Sequence, residues 1–84
     1  MATHVREIRG IPLWLLREYL VELGGSADGD RVVGDGWDAS IMQLADYQIG
    51  SLRVGQVRLA IDGDDDVLSY LKQRLELKLL RGGG

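Results

Sequence analysis

Apolar positions recur at helical spacing in two stretches of the chain and alternate at strand spacing between them. The longer helical stretch runs from Asp64 to Arg81, DDDVLSYLKQRLELKLLR. Leu68, Leu71, Leu75 and Leu79 fall three and four residues apart, which places them on one face of a helix. Val67 widens that stripe at its start. Asp64 suits the N-cap, and Asp65 and Asp66 sit where the helix dipole favours negative charge. Lys78 and Arg81 sit near the opposite end, and Gly82 is placed to close the helix. The shorter stretch opens at Pro12, a residue favoured in a first helical turn. Its face is Leu13, Leu16, Leu20 and Leu23, and Gly24-Gly25 stops it.

The remaining segments read as strands. Residues 3–11, THVREIRGI, form one built on Val5 and Ile11, with alternation imperfect at Ile8. Ser26 to Asp30, SADGD, is a loop by composition. Asp30 to Gly34 is a short strand on Val32 and Val33. Asp35-Gly36 is a two-residue hairpin signal leading into Trp37–Leu44, where Trp37, Ala39 and Ile41 share a face. Leu44 breaks that phase, which predicts a bulge or strand end near Gln43. Ala45 to Tyr47 then reads as a turn and Gln48 to Val54 as a strand. Gly55 separates it from a last strand, Gln56–Asp62, in which Val57, Leu59 and Ile61 alternate with polar or small residues. The predicted order is strand, helix, four strands, helix. This is an α+β fold with both helices on one face of an antiparallel sheet and the other face open.

The 84 residues are enough for one small domain, spanning residues 1–84 with 82–84 as a flexible glycine tail. A core of that size gives modest stability and leaves a homo-oligomer open. A net charge of -3, from 13 acidic and 10 basic residues, argues against nucleic acid as the main partner. With no cysteine, disulfides, thiolate metal sites and a cysteine nucleophile are ruled out. The start, MATHVREIRG, lacks a signal-type apolar run, and no stretch approaches the ~20 apolar residues of a membrane span. The expected location is the cytoplasm, with no membrane partner.

Few residues offer chemistry. Asp62, Asp64 and Asp66 imitate the start of a calcium loop, but Val67 stands where its glycine belongs and Gln73 where its closing acid belongs. Helix capping accounts for these carboxylates, so no metal site is expected. Asp28, Asp30, Asp35 and Asp38 flank turns, for which aspartate is a preferred residue. Two of them together with the single His4 would make a metal or acid–base site, but His4 lies near a terminus expected to fray. The glycine pairs lack the lysine and spacing of a phosphate loop. No nucleophile–base pair is visible, so the expectation is a protein without catalytic residues or cofactor. Arg53 and Arg58 alternate with apolar neighbours and are expected on the open sheet face. With Gln48, Gln56, Arg6 and Arg9 they would form a partly basic platform for a small anionic ligand or a protein partner, or else a solvated face. Trp14 is expected to flank the core; an exposed anchor for a partner is the alternative.

Two stretches resemble known families. The tail LKLLRGGG resembles the LRGG-type ends of ubiquitin-like proteins and of sulfur carriers in molybdopterin and thiamine synthesis. That resemblance implies activation of a terminal glycine, with Gly83 and Gly84 as the carrier end. The chain departs from those families in its third glycine, in the helix before the tail, and in the single strand before the first helix. A broader resemblance rests on IRGIPLWLLREYLVELGG, on IGSLRVGQV and on the element order. These are similar to the uncharacterised C-terminal domain of proteins related to the molybdopterin synthase small subunit. That resemblance implies a TATA-binding-protein-like fold, with helices on a curved sheet. It also implies an accessory or binding role near sulfur transfer or cofactor synthesis, and it supplies no catalytic residues.

Overall fold

The computed structural model describes residues 2–82. Its elements are β1 (Ala2–Arg9), α1 (Leu13–Glu22), β2 (Ser26–Asp28), β3 (Arg31–Gly34), β4 (Trp37–Ile49), β5 (Leu52–Gly63) and α2 (Asp65–Gly82). The five strands form one sheet in the order β1-β5-β4-β3-β2, and every neighbouring pair is antiparallel. The sheet does not close on itself. Both helices cover one face. Leu16 and Leu20 of α1 and Leu68, Leu71 and Leu75 of α2 are buried against Ala39, Ile41, Val57, Leu59 and Ile61. The predicted α+β architecture is the observed one. Two sets of alternating positions and two leucine stripes can hide their apolar surface only against each other.

The predicted order, strand, helix, four strands, helix, is also observed, but the four middle strands are divided differently. The turn read at Ala45–Tyr47 is a bulge inside one long strand: Leu44 pairs with Gln56 and Tyr47 with Val54, so β4 spends an extra residue there. The chain reverses instead at Gly50-Ser51. Gly50 has φ 60°, a left-handed conformation that only glycine adopts at little cost. Gly55, read as a separator, lies within β5, and its carbonyl accepts a hydrogen bond from the Gly10 N–H at 2.9 Å. The lost strand is replaced by Ser26–Asp28, read as a loop because it is polar. It is an exposed edge strand paired with β3, with no side chain to bury.

In β1 the inward positions are Ala2, His4, Arg6 and Ile8 rather than a set built on Val5. Ile8 pairs with Val57 and is buried, while Val5 pairs with Ala60 on the opposite, exposed face. Ile11 is buried beyond the end of the strand. Trp37 is buried against two close approaches of the backbone. A side-chain carbon on Gly34 would fall inside the indole, and one on Gly25 would lie 2.7 Å from it. At the far end of α2, Leu79 packs against the core, whereas the adjacent Leu80 is 75% exposed. Gly82 is within α2, and Gly83 and Gly84 lie outside the described residues. No described helix is long and apolar enough to cross a membrane.

Candidate functional site

The uncovered sheet face carries the outward-pointing positions of β1, β5 and β4. Opposed pairs there are Thr3 and Asp62, Glu7 and Arg58, Arg9 and Gln56, Met42 and Arg58, and Leu44 and Gln56. Arg58 donates to Glu7 at 3.2 Å, so its charge is already neutralised by a neighbour. Arg9 is different. Its Nε donates to Gln56 Oε1 at 2.9 Å, and its guanidinium lies 3.8 Å from the centroid of the Tyr47 ring. No carboxylate pairs with it among the described residues. The group is held flat by a hydrogen bond and a ring, with its remaining donors free.

Only half of the expected platform lies on this face. Arg9, Gln56 and Arg58 do; Arg53, Gln48 and Arg6 do not. Alternation along β5 is unbroken from Leu52 to Gly63, so Arg53 and Arg58, five residues apart, must point to opposite faces. Arg53 lines an open cleft of about 480 Å³ with Gly10, Ile11, Pro12 and Gln43, beside the start of α1. Gln48 pairs with Arg53 in register. Arg6 points towards α2 and forms an ion pair with Glu76.

Trp14 is not a core flank. It is 59% exposed, because it lies two residues before Leu16 and so nearly opposite the buried stripe of α1. With Arg17, Glu18 and Val21 it borders a shallow surface depression. The second aspartate cluster disperses as well. Asp38 takes a bidentate contact from Arg31, whose Nε donates at 2.9 Å, and that hydrogen bond holds its carboxyl below the usual range. Asp30 lies 3.9 Å from Arg17. His4 sits on the inner face of β1, where desolvation, then Lys72 and Arg6, lower its pKa. Among the described residues no three metal-binding side chains come together.

Arg9 and Tyr47 were the pair that sequence reading missed as a pair. They are 38 positions apart, and only the bulge at Ala45-Asp46 turns Tyr47 to the face that Arg9 occupies. Leu44 keeps regular register with Gln56, so the bulge expected near Gln43 is found instead between Leu44 and Tyr47.

A family model described as archaeal MoaD-like protein matches residues 4–84. The chain belongs to that family. No curated protein matches it. The match agrees with the resemblance carried by the opening helix and the β4–β5 segment, and it makes this MoaD-like chain a small protein related to those of molybdopterin and sulfur-carrier chemistry. In this MoaD-like protein a single strand precedes α1 and all strand pairs are antiparallel. Its last helix, α2, includes Gly82, the first glycine of the tail.

Proposed function

We propose that this MoaD-like chain is a cytoplasmic binding module without catalytic chemistry of its own, serving molybdopterin or sulfur-carrier chemistry. It holds an anionic group, on a small ligand or a partner protein, against the open sheet face. The observation that carries this reading is Arg9, fixed between Gln56 and Tyr47 with no carboxylate partner among the described residues. Much of the ordering cost of an arginine side chain is already met there, so a planar anion gains bidentate contacts at little further loss. Arg58 adds positive potential only as far as Glu7 allows. The site is exposed, so binding should weaken as salt rises.

Titrating inorganic phosphate, pyrophosphate and phosphate-bearing metabolites against labelled protein by NMR tests this. Shifts should cluster at Arg9, Tyr47 and Gln56. Arg9→Ala should weaken binding about tenfold, the effect of losing roughly 1.4 kcal/mol of charge-assisted hydrogen bonding, and leave the melting temperature nearly unchanged. Arg53→Ala, on the other face, should leave the affinity intact. Equal affinities for wild type and Arg9→Ala would remove the site.

A second reading makes the chain a sulfur carrier activated at its glycine end. The exposure of Leu80 supports it, since the approach to the tail is not packed. The helical course of α2 through Gly82 opposes it, because an extended tail requires the last turn to unwind. Intact mass after incubation with ATP, a sulfide donor and a cognate adenylating enzyme separates the two readings. The carrier gains the mass of sulfur replacing oxygen; the binding module gains none while a known carrier in the same tube does.

A further inference from the structure

The β4–β5 hairpin outgrows the rest of the sheet. Strand β3 borders β4 only as far as Ser40, and the last contact on that side is the Ile41 N–H donating to the Asp30 carbonyl at 2.8 Å. Among the described residues no strand lies beside the outer edge of β4 from Met42 to Ile49. Sheets guard such edges with lysine, proline, several charges or a bulge, and of these the edge has the bulge at Ala45-Asp46. This segment, MQLADYQI, has no lysine or proline and only one charged residue, Asp46. Met42 and Ile49 are 55% and 56% exposed.

From this edge we infer that the protein forms a two-fold dimer in which β4 pairs antiparallel with β4 of a second copy, making one continuous sheet of two protomers. The occupant is specified by the strand's own pattern. A two-fold axis perpendicular to the sheet, placed between Ala45 and Asp46, sets Leu44 against Tyr47 and Met42 against Ile49 of the partner copy. It sets Gln43 against Gln48 on the other face. In a regular strand an axis between two residues would oppose side chains of opposite faces. The bulge removes that conflict. It leaves Leu44 and Tyr47 on one face although they are three apart, as their pairing with Gln56 and Val54 shows. Apolar therefore meets apolar, amide meets amide, and Asp46 is set directly against Ala45, with the two Asp46 side chains diagonal to each other about the axis. The same contact satisfies the free backbone groups of both edges. It does not require anion binding at Arg9 on β1, although Tyr47, whose ring stacks on Arg9, also lies on this edge.

Sedimentation equilibrium over a range of concentrations tests the dimer and its register together. Wild type should approach twice the 9.3 kDa protomer mass. Met42→Lys/Ile49→Lys opposes like charges in both symmetry-related pairs and should weaken association at least tenfold. Met42→Lys/Ile49→Glu opposes unlike charges in the same pairs and should restore dimer, more so at low salt. Both positions are exposed, and thermal melts by circular dichroism confirm that each variant folds. A wild type that stays at protomer mass to millimolar concentration overturns the inference. So does a dimer that the lysine pair leaves intact, or one that both double variants abolish alike.

Discussion

Replacing Leu71 by alanine should lower the unfolding free energy by roughly 2–5 kcal/mol, the range for a fully buried leucine whose cavity cannot collapse. Leu71 is 2% exposed and sits in the middle of the α2 stripe, between Leu68 and Leu75, facing the central strands. A domain of 84 residues holds on the order of 4–13 kcal/mol in total, so this one change removes a large share. In urea the midpoint should fall with the slope unchanged, since the surface exposed on unfolding hardly differs. Leu80→Ala, two residues before the helix ends and 75% exposed, should move the midpoint little. Equal shifts for the two variants would mean that α2 does not cover the sheet through this stripe.

Gly34→Ala should destabilise by about 1–3 kcal/mol although it adds a single methyl group and Gly34 has no positive φ. The added carbon would overlap the Trp37 indole, which lies across Gly34 just after the Asp35-Gly36 turn. The indole also approaches Gly25, where an added carbon would lie 2.7 Å from it, so it has little room to shift. A double-mutant cycle isolates the cause. In a Trp37→Ala background, itself costly by about 3–5 kcal/mol, the Gly34 substitution should be nearly neutral. Additive costs would show that Gly34 matters for backbone reasons and not for the tryptophan. The same contact explains why the tryptophan is almost wholly buried in a small domain.

The helices were legible because each obeys a local rule throughout. The 3.6-residue period, Pro12 at the entry of α1, the first-turn aspartates of α2 and the Gly24-Gly25 stop all agree. The strand content was legible for the same reason where alternation was clean, as in Val57, Leu59 and Ile61. Strand limits were not. Gly50 and Gly55 look alike in sequence, and which of them reverses the chain depends on the register of β4 against β5. A polar strand such as Ser26–Asp28 buries nothing, so it leaves no hydrophobic pattern to read. The candidate site suffered from the same limit. Arg53 and Arg58 look equivalent one residue at a time, yet their odd spacing sends them to opposite faces, and Arg9 gained its aromatic partner through a bulge.

By itself the sequence determined the two helices, the strands with clean alternation, the leucine stripes that join both helices to one sheet face, and the turn at Asp35-Gly36. These depend on periodicity and on local conformational preference, which act between near neighbours in the chain. Only the tertiary structure decided which residues share the open face, that Trp14 is exposed, and that the β4–β5 hairpin extends past its neighbours with a bare edge. Those depend on register, and register is settled by which opposed pairs across the whole sheet can bury apolar surface together. A bulge of one residue reverses the outcome for every side chain beyond it, so no local reading along the strand can supply it.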